Sequence, residues 1–218
     1  MITSTFTIAA TDGVDWGVAV ASRVLAVGGI VAAVSAKVGA IATQATVNVA
    51  WKAEGLQMLR DGLSAPEVVQ ALVAGDDAPQ GRQLAVLDRH RQVAAHTGSA
   101  CRPWAGHHLG TGLVVAGNIL SGPEVLSAMV ASFQSEGGEL ARRLARALRA
   151  GDISGGDARG RQSAAIVVAR RGGGIEGRDD RLLDLRVDDH PEPVGELLRL
   201  TELGVDAYRS GFAERAEE

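Results

Sequence analysis

Between Thr5 and Thr43 the chain is built almost wholly from Val, Ala and small hydroxyl residues. The breaks are few: Asp12-Gly13, Arg23, Gly28-Gly29 and Lys37. Short apolar runs between turn-forming dipeptides read as strands, here roughly 5–11, 15–22, 28–35 and 38–43. Their lack of polar alternation predicts sheets covered on both faces. A membrane span is a poorer reading of 16–51, because Arg23 and Lys37 cut it into pieces shorter than the roughly 20 apolar residues a spanning helix needs.

With 218 residues, 46% of them hydrophobic, the chain is long enough for a full core, and one domain over 1–218 is expected. Only 3% of residues are aromatic, so small and branched side chains must fill that core, which suits closely stacked layers. A net charge of -4 leaves no electrostatic footprint for nucleic acid. Arg142, Arg143, Arg146 and Arg149 recur at helical spacing opposite Leu140, Leu144 and Leu148, the pattern of a solvated helix face. A single cysteine, Cys101, allows no internal disulfide, and no basic region with an apolar core opens the chain as in a secretory signal. A cytoplasmic location follows as the expectation.

After the four strands the periodicity changes. Residues 50–61 and 64–75 read as helices, the second opened by a capping box at Ser64-Ala65-Pro66-Glu67. Gln83–Asp88 and Gln92–Thr97 form a hairpin, 98–112 a structured loop without period, and Leu113–Asn118 a strand. Ser121-Gly122-Pro123-Glu124 repeats the capping-box spacing ahead of Val125, Met129 and Phe133, and a helix runs from Glu139 to Ala150. A Gly- and Asp-rich loop, 151–161, leads to the strand Ser163–Arg170. The Gly172-Gly173-Gly174 turn leads to the strand Leu182–Val187, and a last helix runs from about Pro193 past Tyr208. Residues 214–218 read as a frayed acidic end. Strands, two helices, strands, two helices, strands and one helix layer into an α+β fold: a four-layer α-β-β-α sandwich of two stacked, mainly antiparallel sheets with helices outside.

Several motifs together resemble the family called DUF1028. They are Val18-Ala19-Val20-Ala21-Ser22-Arg23, Ala42-Thr43-Gln44, Thr97-Gly98 with Cys101 and Trp104-Ala105-Gly106-His107, Gly117-Asn118, Gly155-Gly156-Asp157-Ala158-Arg159-Gly160 with Gln162-Ser163-Ala164, and Asp184-Leu185-Arg186-Val187-Asp188-Asp189-His190. The likeness covers about 5–200. It implies the Ntn (N-terminal nucleophile) hydrolase fold, the same sandwich that the element order suggests. A shorter likeness, to the β-subunits of the proteasome, is counted from Thr5: Arg23 and Lys37 stand at the separations of a basic residue and a lysine in those enzymes. Ala21 stands where they have an aspartate, which leaves Ser22 as the polar group nearby.

These likenesses imply that Thr5 is the nucleophile, with Arg23 and Lys37 as its charged neighbours. A free α-amino group titrates near about 7.7–8, so at neutral pH a share of it is ready to take the proton from Thr5 Oγ1. A nearby Lys37 would lower that value further. Backbone N–H groups around Thr43-Gln44-Ala45 are the candidate oxyanion donors. Ser22, Asn118, Asp157, Arg159, Gln162 and Ser163 are candidate substrate contacts, as are Asp189 and His190. The last two also read as a structural turn, with Asp189 as a helix cap. His107 and His108 lack acidic or Cys partners at ligand spacing, so neither a metal nor a cofactor is expected.

Everything turns on the residues ahead of Thr5. Ile2 is too large for routine methionine removal, so Thr5 becomes a terminus only through a cut between Ser4 and Thr5. If that cut occurs, the chain is an amidohydrolase of small amide or peptide-like substrates. If it does not, it is a catalytically silent Ntn-fold protein that binds a small ligand or serves as a scaffold. A third reading gives the nucleophile to Cys101 or Ser22 without processing. Homo-oligomer formation is expected of such a fold, with neither nucleic acid nor membrane as partner.

Overall fold

A computed structural model describes residues 2–213. A two-residue strand, β1 (Ile2–Thr3), precedes β2 (Thr5–Thr11) and β3 (Asp15–Ser22). A short helix α1 (Val27–Ile30), β4 (Ala32–Ser35) and β5 (Gly39–Thr46) follow, then α2 (Ala50–Arg60) and α3 (Ala65–Ala74). The middle of the chain forms β6 (Arg82–Asp88), β7 (Val93–Thr97), β8 (Gly106–Gly110) and β9 (Leu113–Asn118). It is followed by α4 (Glu124–Ser135) and α5 (Leu140–Ile153), and the chain closes with β10 (Ser163–Arg170), β11 (Arg181–Val187) and α6 (Pro193–Ala213). The acidic stretch 214–218 lies outside the described residues.

Every strand pairing is antiparallel. One sheet runs β11-β10-β3-β2-β9-β8. The other runs β1-β5-β6-β7, with β4 also paired to β5. The layers follow from period-two alternation. Phe6 and Ile8 of β2 face Met129, Leu144 and Leu148 of α4 and α5. Ala9, Val18 and Val20 face Ala40, Ala42 and Leu87 of the other sheet. Ile41, Leu84 and Val86 then meet Trp51, Leu59 and Val68 of α2 and α3. The result is the expected four-layer α-β-β-α sandwich, and the small residues that dominate the inter-sheet layer are what let the two sheets stack closely.

Three local readings change. The expected strand 28–35 is α1 followed by a shorter β4. Gly28 allows this, because a Cβ there would stand 2.4 Å from Cβ of Ala165 on β10. The expected loop 98–112 contains β8, an exposed edge strand whose sequence, Gly-His-His-Leu-Gly, has no inward apolar face to announce it. Helix α4 starts at Glu124 with Pro123 at its N-cap and no side-chain cap, so the second capping box does not form. The first does, with Glu67 Oε2 2.7 Å from the Ser64 amide. The α5 arginines are engaged rather than free: Arg142 and Arg146 both pair with Glu202 of α6, and Arg149 with Asp152.

Gly39 is where β5 leaves the β4 turn, at φ +150, and a Cβ added there would lie 2.1 Å from the Leu87 carbonyl oxygen. Backbone cannot yield as a flexible side chain can. Gly39→Ala is therefore expected to cost about 3 kcal/mol, seen as a lower urea midpoint at unchanged slope.

Candidate active site

In the six-stranded sheet, β3 and β9 flank β2 and bring Ser22 and Asn118 directly opposite Thr5, one on each side. Thr7 Oγ1 donates to Gln44 Oε1 of the other sheet at 2.5 Å. Thr5, two residues earlier, therefore presents its side chain to the same inter-sheet face. Gln44 Nε2 lies 3.4 Å from the Thr5 carbonyl. Ser4, Thr5, Ser22, Gln44 and Asn118 are all buried.

Three oxygens meet at the bond between residues 4 and 5. Thr5 Oγ1 donates to Ser22 Oγ at 3.4 Å, and Ser22 Oγ in turn donates to the Ser4 carbonyl. The Ser4 hydroxyl is held by the Asn118 carbonyl at 3.1 Å. The Thr5 nitrogen is an amide here and not a basic amine, and among the described residues no carboxylate or imidazole hydrogen-bonds these hydroxyls. A hydroxyl hydrogen aimed at a carbonyl oxygen polarises that carbonyl toward attack.

Behind this group stands a network of side-chain amides. Gln83 Oε1 accepts from Gln44 Nε2 at 2.7 Å and from Asn118 Nδ2 at 3.1 Å. Gln83 Nε2 reaches Thr97 Oγ1 at 2.9 Å and the carbonyls of Gly106 and Gly117 at 3.0 and 2.8 Å. Thr97 Oγ1 lies 2.9 Å from His107 Nδ1. Although His107 is partly open to solvent on the edge strand, desolvation of its ring against the neighbouring strands, and secondarily His96, pushes the imidazole below its ordinary 6.5. Folded His107 thus resists a proton that the unfolded chain accepts, and stability falls as pH drops below about 6.5. His107→Asn, which keeps an acceptor for Thr97, is expected to remove that part of the loss in urea titrations at successive pH values.

The loop 154–162 crosses the ends of β3 and β9. Asp157 is buried, and its Oδ2 accepts the Arg23 amide at 2.9 Å and pairs with Arg159 at 3.1 Å. The Arg23 guanidinium is exposed and donates to the Arg159 carbonyl. Ser163 Oγ joins the Val24 carbonyl, 2.5 Å away, to the Val27 amide, 3.0 Å away. Gln162 Nε2 donates to Asp189 Oδ1 at 3.2 Å, the His190 amide to the Gln162 carbonyl at 2.8 Å, and the Glu192 amide to His190 Nδ1 at 2.9 Å. Asp189 and His190 thus sit in the turn that leads into α6. A pocket of about 480 Å³ opens here, its wall including Phe6, Ser22, Asp152, Asp157, Arg161 and Ser163. Ser22 links this pocket to Thr5.

Not every candidate converges. Lys37 is exposed in the β4–β5 turn at φ +57, whereas β5 approaches Thr5 through Gln44. At about 3.3 Å per residue the two ends of that strand are on the order of 20 Å apart. Matching separation along the chain does not bring the lysine to Thr5, because β4 and β5 form a hairpin whose tip points the other way. Lys37→Ala is accordingly expected to leave any processing at Thr5 unchanged when its rate is followed by intact mass. Thr43 lies on the helix-facing side of β5, where its hydroxyl bonds the Asn48 carbonyl at 3.2 Å and its amide the Val31 carbonyl. That amide is not available to an oxyanion. Cys101 donates to the Arg82 carbonyl at 3.2 Å, and burial pushes its thiol above the ordinary value. His96 bonds the Pro79 carbonyl instead of activating Cys101.

A model described as a family of unknown function, DUF1028, matches residues 5–197. The chain belongs to this family. A solved DUF1028 structure, protein SPO2555 from Silicibacter pomeroyi, is 33% identical and superposes with a TM-score of 0.83, covering 91% of this chain and 85% of that one. Two Anbu structures are more distant. The Gly-1 mutant from Hyphomicrobium sp. strain MC1 has a TM-score of 0.44 at 13% identity over 96% of both chains. The ancestral beta-subunit from Yersinia bercovieri has 0.39 at 11% over 95% of this chain and 96% of that one. No curated protein matches. Among the described residues no helix is long and apolar enough to cross a membrane, and no group of three or more His, Cys, Asp and Glu is placed to hold a metal.

In this DUF1028 chain the structure adds three residues to those read from sequence. Ser4 supplies the carbonyl at the centre of the hydroxyl group. Gln83 is the hub of the amide network, and its signal was a glutamine directly ahead of the apolar run 84–87. Asp152, buried and held by Arg149 and Arg161 at 2.6 Å each, anchors the pocket wall; inside a charged helix nothing set it apart.

Proposed function

We propose that the chain is the precursor of an Ntn-type amidohydrolase, activated by cleavage of the Ser4–Thr5 bond and acting on a small amide or peptide-like substrate. One observation supports this reading above others: the Thr5 hydroxyl, the Ser22 hydroxyl and the Ser4 carbonyl share one buried site, with Ser22 donating to the carbonyl that Thr5 would attack. Attack of Thr5 Oγ1 on the Ser4 carbonyl carbon closes a five-membered ring. Ser22 O–H stabilises the oxyanion, the hydroxyl proton passes to the Thr5 nitrogen, and the C–N bond breaks to leave Ser4 as an ester on Thr5 Oγ1. One water then hydrolyses that ester, giving a Ser4 carboxylate and a free Thr5 amine. The amine, partly neutral at pH 7–8, next serves as base for the same hydroxyl on substrate.

The adjacent pocket of about 480 Å³ is of small-ligand size, and its wall of serines, aspartates and arginine suits a polar amide. Intact mass spectrometry of freshly purified protein tests the reading, and loss of residues 1–4 is the expected result. A whole chain that hydrolyses amides at enzymatic rates sinks it. A whole chain that stays silent favours the ligand-binding alternative.

A further inference from the structure

We propose that Asn118 is a positioning residue: its Oδ1 receives the α-amino group that cleavage of the Ser4–Thr5 bond releases, and so holds Thr5 as base and nucleophile. The proposal rests on the reading given above. Asn118 is 1% exposed, and its Oδ1 is buried with no hydrogen-bond partner among the described residues. The orientation of that amide is fixed by its neighbours. Gln83 turns its Nε2 toward Thr97 and two backbone carbonyls, so its Oε1 must accept, and Asn118 must offer Nδ2 to it. Gln44 is complete as well, accepting from Thr7 and donating to Thr5 and Gln83. Flipping Asn118 would set two oxygens against each other. Its Oδ1 is therefore left facing away from the network, a buried acceptor without a donor.

In the uncut chain this site lacks one donor. Cleavage makes one on the neighbouring strand, at the residue paired with Asn118. Thr5 is the cross-strand partner of Asn118 and presents its side chain to the same sheet face. Its nitrogen changes from an amide with one hydrogen, fixed in the strand, to a terminal amine with up to three, free to turn. The charged groups on the elements packed around the site include Arg23, Asp157 and Arg159 beyond Ser22 on β3 and the loop, Arg102, whose carbonyl accepts the Ile119 amide, and His107 beyond Gln83 and Thr97. Arg23, Asp157 and Arg159 bond to one another, and the side chains of β5 and β6 that hydrogen-bond Thr5 and Asn118 among the described residues are the neutral Gln44 and Gln83. A neutral acceptor favours the protonated amine, so Asn118 raises the titration midpoint of Thr5.

The test uses the full chain after it has cleaved itself. Competitive acetylation with acetic anhydride across pH, read by mass spectrometry on the peptide beginning at Thr5, gives the amine midpoint. Asn118→Leu is expected to lower that midpoint by about one pH unit, and Asn118→Asp to raise it by a similar amount. Equal midpoints in the wild type and Asn118→Leu overturn the proposal while leaving the proposed function standing. A wild type that never exposes Thr5 overturns both. If Asn118→Leu does not fold, as judged by circular dichroism, Asn118→Asp makes the comparison alone, and an unshifted midpoint there is equally fatal.

Discussion

Thr5→Ala is expected to leave the chain whole, with residues 1–4 still attached, and without amide hydrolysis. The substitution removes the only hydroxyl that can close a five-membered ring on the Ser4 carbonyl, and in the mature form it also removes the nucleophile. Loss of a nucleophile that works together with its base typically costs on the order of 10⁶ in turnover. Thr5→Ser keeps the hydroxyl and is expected to cleave. Ser22→Ala separates the roles: it preserves Thr5 but removes the hydrogen that Ser22 Oγ aims at the Ser4 carbonyl, so cleavage should slow by about 10²–10³. Time courses of intact mass at fixed pH distinguish all three. Thr5→Ala protein that still loses its first four residues would place the cut outside the chain's own chemistry.

Gln83→Leu should cost about 3–5 kcal/mol of stability, read as a large fall in urea midpoint with little change in slope. Gln83 is fully buried between the sheets, and its side chain engages Gln44, Asn118, Thr97 and the carbonyls of Gly106 and Gly117. Leucine fills much of the same volume but removes the acceptor of Asn118 Nδ2, one of the two acceptors of Gln44 Nε2 and a donor to the two carbonyls, in a layer whose apolar residues are mostly Val and Ala. A half-broken buried network costs more than none at all. Because Gln44 and Asn118 lose their orientation together, cleavage at Thr5 should slow as well. A loss below about 1 kcal/mol would mean that the layer admits water at this end.

Much of the architecture was legible in the residues. The Val- and Ala-rich runs marked β2, β3 and β5, the capping box at Ser64 marked α3, and the order of elements implied the four layers. Two local errors came from tertiary contact. Val27–Ile30 is helical because Gly28 lies against Ala165, and β8 is a strand because β9 pairs with it, although its own residues face solvent. At the candidate site, sequence separation singled out Thr5, Arg23 and Lys37, and only the first two lie near one another. The lysine is carried off by the β4–β5 hairpin, a turn whose direction no count along the chain reveals.

By itself the sequence determined the alternation of each strand, and with it which side chains face the inter-sheet layer: a period of two leaves Thr5 and Thr7 no other face once Phe6 and Ile8 meet the helices. It also determined that polar residues would stand in an apolar layer. Only the tertiary structure decided what those residues meet. The register of β2 against β3 and β9 sets Ser22 and Asn118 beside Thr5, and the stacking of the second sheet brings Gln44 and Gln83 across from them. Register and stacking are settled by the packing of all four layers at once, which is why a hydroxyl aimed at one peptide bond, and one amide oxygen left without a donor, become visible only in the folded chain.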